Sequence, residues 1–287
     1  MHVLVATDLT ARSDWAVQRA CRLAAELDGP LTVAHVVDSG LPPALRDHTV
    51  DWAERALRAE VAGHRPASAP TSFRVVTGQP RTALPELAEN VGAELIVLGI
   101  HDDASRAARP FHQSTAGRLV AATPRPVLVV TRAAEDSYRK ALVGVDFSLF
   151  SLTAIRQAAA LAPQAEQVLV HAYHVPYRGL IRTPDGDQST AYAERLQLDA
   201  FLATEMDALE SRARDGGALP AARRSVVTEG QPGPVIRAAC AAEGADLVVL
   251  GTHGRATLSR ALWGSVALDL LGDPPCDVLI VGLPGLP

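Results

Sequence analysis

Ala245-Asp246-Leu247-Val248-Val249-Leu250-Gly251-Thr252-His253-Gly254 is a short apolar run that stops at two glycines. Gly264-Ser265 follows, and then Val266-Ala267-Leu268-Asp269-Leu270-Leu271, spaced like one face of a short helix. A valine-rich run of this length has the pattern of a parallel strand buried on both faces. The order is therefore strand, glycine loop, helix start. Glycine lets backbone approach a ligand closely, and a helix start offers free N–H groups to an anion. Such an arrangement suits phosphate.

Moving outward, the same order recurs along the chain. Strand patterns fall at 2–6, 31–37, 72–76, 94–98 and 126–131, with helical spacing between them at 13–27, 44–61, 81–90 and up to about Ala122. Pro80 stands where a helix would begin. Strands alternating with helices imply an open parallel sheet covered on both faces. After the short polar stretch 132–137 the pattern starts again, with strands at 140–145, 167–172, 224–228, 246–250 and 277–281. The halves match in detail. Val76-Thr77-Gly78-Gln79-Pro80 corresponds to Thr228-Glu229-Gly230-Gln231-Pro232, and the same interval separates Gly78 from Gly99 as Gly230 from Gly251. Thr7-Asp8-Leu9-Thr10 mirrors Val145-Asp146-Phe147-Ser148. This is a tandem duplication, with one domain over 1–134 and a second over 138–287. The second is longer by an insert near 176–188.

Composition fits two domains: 287 residues, 48% hydrophobic and 21% charged. A net charge of −5 provides no basic field for nucleic acid or anionic lipid. The N-terminus reads as a strand rather than a signal peptide, and no apolar run reaches the length of a membrane span. Cytoplasm is the expected compartment. Cys21, Cys240 and Cys276 are isolated in sequence, without C-x-x-C or histidine at ligand spacing. They read as small buried hydrophobes. His101, Asp102, Asp103 and His112 include metal-capable groups, but their spacing matches no ligand template, and no metal site is expected.

Ligands of open parallel sheets bind beyond the carboxyl ends of the strands, where strand order reverses. In the second half that places Asp146 and Gly251-x-x-Gly254 beside one crevice. Amides around Gly264-Ser265-Val266 could donate to phosphate oxygens, and Asp146 could accept from a base amino group or hold a metal. Asp146 could equally cap the helix that follows it. The string GTHGRATLSRALWGS, with spacing G-x2-G-x9-G-[ST], resembles the ATP-binding signature of the universal stress protein family. VGVDFS and VLVHAYHVP resemble that family too, and the likeness spans nearly the whole chain, twice. The resemblance implies two tandem five-stranded parallel sheets of order 3-2-1-4-5 with helices on both faces, a Rossmann-like, adenine nucleotide alpha hydrolase-like fold. It further implies pairing through the fifth strands, and ATP, with or without Mg, as cofactor in those members that bind nucleotide. Carried over by motif, Val145, Asp146 and Ala172 would meet the base. Leu250 and Gly251 would line the ribose and phosphate side, while His253, Gly254, Gly264, Ser265 and Val266 would hold the phosphates. Arg255, outside the motif, would add a cation.

The first half departs from this signature. Asp102 stands where Gly254 stands, and Gln113-Ser114 aligns with Gly264-Ser265 with one residue inserted. Asp102 and Asp103 would put negative charge where a polyanion should sit, so nucleotide is expected in the second half alone. Asp8 is expected to cap the turn from Thr10 to Ser13. The alternatives are a slow ATPase and a scaffold that binds no nucleotide. Beside the phosphate loop His253 is the one candidate base, and the P-loop GxxxxGK[ST] is absent. Catalysis is therefore not expected beyond weak ATP hydrolysis. A homodimer is compatible with this reading, whereas a nucleic-acid or membrane partner is not.

Overall fold

A computed structural model describes residues 1–11, 13–64, 69–100, 115–134, 136–173, 188–215, 223–252 and 264–283. The first half runs β1 (Val3–Ala6), α1 (Asp14–Glu26), β2 (Leu31–Asp38), α2 (Pro43–Ala62), β3 (Thr71–Gly78), α3 (Pro80–Asn90), β4 (Leu95–Gly99), α4 (Thr115–Ala122) and β5 (Val127–Val130). The second runs β6 (Lys140–Gly144), α5 (Leu149–Leu161), β7 (Glu166–Tyr173), α6 (Gln188–Arg214), β8 (Arg223–Glu229), α7 (Pro232–Glu243), β9 (Leu247–Gly251), α8 (Ser265–Gly272) and β10 (Asp277–Val281). Every strand read from the sequence is present, with ends moved by a residue or two. The extended pairing of β2 with β3 carries both strands past their apolar runs, to Asp38 and Gly78. Pro80 and Pro232 open α3 and α7, where a missing N–H costs nothing. Just before them, Gly78 (φ +156°) and Gly230 (φ +152°) take backbone angles that side chains rarely adopt.

Strand order is β3-β2-β1-β4-β5-β10-β9-β6-β7-β8. Each half is thus parallel in the order 3-2-1-4-5. The halves join into one ten-stranded mixed sheet, because β5 and β10 pair antiparallel with Leu128 opposite Leu279. Alternation along the strands sends Val3, Val5, Val97, Leu128, Val143 and Leu279 into one apolar layer. Leu4, Ile96, Val129, Leu142, Val248 and Ile280 enter the other. Both layers run through both halves. Burial of one such side chain stabilises by about 1.5–3 kcal/mol, so the seam belongs to the core.

A buried charged group fastens that seam. Asp277, with no exposed surface, begins β10. Its Oδ1 accepts from the Thr131 N–H (2.8 Å) and hydroxyl (3.0 Å), and its Oδ2 accepts from the Tyr138 hydroxyl (2.7 Å). Arg19 of α1 lies 3.4 Å from Oδ2 through Nε, stacks 4.1 Å over the Tyr138 ring, and donates to the Asp136 carbonyl. Burial, and then the carboxylate, raise the Tyr138 hydroxyl well above its ordinary pKa, so it stays a donor. Among the described residues, no helix is long and apolar enough to cross a membrane.

Candidate functional site

At the end of β6 the ladder continues one step, with the Val145 N–H on the Val170 carbonyl (2.9 Å). The chain then turns sharply. Phe147 has φ +63°, a left-handed angle costly for an aromatic residue. Hydrogen bonds hold the turn. Asp146 Oδ1 accepts from the Ser148 N–H (3.1 Å) and the Ser151 hydroxyl (2.6 Å), and the Asp146 N–H donates to Ser151 Oγ (2.8 Å). Ser148 Oγ caps α5 by accepting from the Ser151 N–H. The Phe147 ring lies 4.4 Å from that of His171. His171 Nδ1 contacts the Val145 carbonyl at 2.8 Å. A carbonyl only accepts, so Nδ1 carries the proton, and in the neutral ring Nε2 is the acceptor.

The first half builds the same turn. Leu9 has φ +62°, and Asp8 Oδ1 accepts from the Thr10 N–H (3.0 Å) and the hydroxyls of Thr10 (2.7 Å) and Ser13 (2.9 Å). His35 Nδ1 meets the Thr7 carbonyl at 2.9 Å. Asp8 thus closes the turn as expected, and Asp146 does the same in the second half. A serine five residues after the aspartate marks both turns in the sequence, a signal that the strand-and-motif reading passed over.

At and just past the carboxyl end of the neighbouring strand β9 stand Leu250, Gly251 and Thr252. A Cβ on Gly251 would lie 2.6 Å from Phe150 Cβ and 3.3 Å from its carbonyl carbon. Close packing of α5 on β9 therefore already requires this glycine, whatever ligand approaches it. The Thr252 N–H donates to the Val281 carbonyl (2.9 Å), and the Gly264 N–H donates to the Thr252 carbonyl (2.8 Å). The second bond brings the start of α8 back to the end of β9. Gly264 is the N-cap, without a side-chain cap bond, and Ser265 is exposed. Among the described residues the first-turn amides of α8 thus have no side-chain acceptor of the usual capping kind, which suits an anion. Val145, Asp146, Ala172, Leu250, Gly251, Gly264, Ser265 and Val266 all belong to the carboxyl ends of β6, β7 and β9 or the adjoining start of α8. His253, Gly254 and Arg255 lie outside the described residues, as do His101, Asp102, Asp103 and His112. Among the described residues no group of three His, Cys, Asp or Glu side chains is arranged to hold a metal.

The first-half crevice is a cavity of about 320 Å³ at the ends of β1, β2 and β4, lined by Thr7, Asp8, His35, Pro80, Leu98 and Gly99 among others. Beneath it Thr7 donates to the Glu60 carboxylate (2.9 and 3.1 Å) and lies 2.7 Å from Ser13 Oγ. Burial, reinforced by Asp14 and Asp8, raises the Glu60 pKa above its ordinary 4.5, against the pull of the Thr7 hydroxyl and His64. An acid raised in the folded state contributes stability below its unfolded pKa and loses it as pH climbs through the folded value. Glu60→Gln, which keeps an acceptor for Thr7, should therefore match the parent chain near pH 4. It should melt higher than the parent at pH 7, in urea or thermal unfolding. A constant difference across this range would contradict the assignment.

The model of the "Universal stress protein family" matches this chain twice, over residues 1–131 and 137–282. A universal stress protein of Thermus aquaticus is 30% identical over 128 residues, 45% of this chain and 85% of its own length. Among solved structures, a universal stress protein from Archaeoglobus fulgidus covers 98% of this chain and 96% of its own, with TM-score 0.67 and 16% identity. A functionally unknown protein from Pseudomonas aeruginosa PAO1 covers 98% and 92%, with TM-score 0.66 and 18% identity. The two solved structures speak for the fold across both halves.

Proposed function

The chain belongs to the universal stress protein family, and on that premise we propose that it binds one ATP, in its second half, and acts in a stress response or its regulation rather than as a metabolic enzyme. Residues 138–287 form the nucleotide half and 1–134 the half that has lost the ligand. One observation carries the reading. The half-buried Asp146 and the α8 start, which has no side-chain cap, flank the ends of neighbouring strands, and the segment between β9 and α8 has the full G-x2-G-x9-G-S spacing. The first half has an acidic residue in place of the second glycine.

In this reading Val145, Asp146 and Ala172 meet the adenine, and Leu250 and Gly251 lie along the ribose. His253, Gly254, Gly264, Ser265 and Val266 meet the phosphates through backbone amides and the Ser265 hydroxyl, with Arg255 as an added cation. The triphosphate supplies the anion that the first turn of α8 attracts. A magnesium ion, where present, would neutralise part of that charge. The output is a change of shape or of partner in the cytoplasm. The antiparallel β5–β10 ladder supports internal pairing of the two halves, with a homodimer as a further level of assembly.

The test is stoichiometry. Denatured extracts of the purified chain, and isothermal titration of the stripped chain, should give one adenine nucleotide per chain. An empty extract with no heat and no thermal shift on adding ATP would refute the proposal. Two nucleotides per chain would refute the assignment to one half.

A further inference from the structure

Cys240 and Cys276, read from the sequence as isolated, meet in the fold. Their sulfurs are 3.5 Å apart. Cys240 lies on α7 and Cys276 in the turn before β10, next to the buried Asp277. Cys240 is 4% exposed and Cys276 1%. A disulfide sulfur–sulfur distance of about 2.05 Å is therefore an approach of about 1.5 Å away.

We propose that Cys240 and Cys276 form a redox site that closes a reversible disulfide under hydroperoxide. Chemistry assigns the two roles. The contact between the two sulfurs, in which either thiol can donate, and the Arg132 charge lower the Cys240 pKa despite burial. The same contact and burial raise that of Cys276. Cys240, the less deeply buried of the two and the one whose thiol is held lower, acts as the nucleophile. Its thiolate attacks one peroxide oxygen, the O–O bond breaks, and hydroxide leaves, which takes up a proton to become water. The sulfenic acid so formed is attacked by the Cys276 sulfur. The S–O bond breaks, the S–S bond forms, and the departing hydroxide takes the Cys276 proton as a second water. Two thiols are oxidised and one peroxide is reduced. The bond closes a covalent ring over 240–276 that holds β9, the glycine-rich segment and α8.

Cys21 serves as an internal control. It is buried on α1, and burial, then Asp14 and Glu60, push its thiol up to about 12. The full chain is exposed to hydrogen peroxide well below its melting temperature, then denatured in N-ethylmaleimide and mapped by mass spectrometry without reduction. The expected result is a 240–276 cross-linked peptide pair, alkylation of Cys21 alone, and reversal by dithiothreitol. A ring of this size should also raise the melting temperature by about 5–10 °C. Three alkylated cysteines after oxidation would overturn the proposal. So would over-oxidation of Cys240 without a cross-link, or a cross-link to Cys21. A cross-linked chain that melts no higher than the reduced one would show that native geometry does not accommodate the bond. The readouts come from the parent chain, so the test stands even if cysteine variants misfold.

Discussion

Asp277→Ala should destabilise the chain by about 3–5 kcal/mol, the largest loss expected from any single substitution described above. The change removes a carboxylate that accepts three hydrogen bonds and pairs with the Arg19 charge. Arg19 would keep its charge in a site where its side chain is 5% exposed. The Tyr138 hydroxyl and the Thr131 N–H and hydroxyl would lose their acceptor. Each orphaned neutral donor costs about 1–3 kcal/mol when it cannot reach water, and a stranded charge costs more. Thermal or urea unfolding measures the loss. Arg19→Met in the Asp277→Ala background should recover part of it, because the uncompensated charge is then gone. If the double variant is as unstable as the sum of the two single variants, the two side chains do not interact as described.

Gly254→Asp should weaken ATP binding by more than about 100-fold, since a carboxylate about 5 Å from a phosphate at an effective dielectric of 20 repels it by roughly 3 kcal/mol. The substitution gives the second half the residue that the first half has at Asp102. Gly254→Ala separates the two parts of the argument. It adds a Cβ without charge, so it should lose much less affinity if repulsion dominates. Equal losses would mean that close backbone approach is what the position supplies. Titration calorimetry on the full chain reads both variants, and unchanged affinity in Gly254→Asp would remove the phosphate role of this glycine.

Much of the fold was legible because period and punctuation agree. Runs such as Leu247–Leu250 and Val127–Val130 can sit only between covering helices, and the repeated Gly-Gln-Pro before α3 and α7 fixed the correspondence of the halves. The candidate site was legible in part. Its residue types follow from a local motif, and the pairing of β6 with β9 brings Asp146 and Gly251 to neighbouring strand ends. What Gly251 packs against could not be read, because Phe150 approaches it from a different helix. Arg19, Tyr138 and Asp277 carry no local signature either. An arginine on an amphipathic helix and an aspartate opening a strand look like surface residues until the seam buries them. The cysteines escaped for the same reason: α7 and the start of β10 meet only through the sheet.

The antiparallel seam has a consequence for how such a molecule behaves in a cell. Two separate copies that paired along an edge would come apart on dilution and could exchange partners. Here the neighbour is part of the same polypeptide, so the pairing holds at any abundance and always at one to one. Each half is also released from having to be its own mirror image. One can depart from the glycine motif while the other keeps it, and every molecule contains both versions. A population of such chains has a single composition along this seam, whatever the amount of protein present.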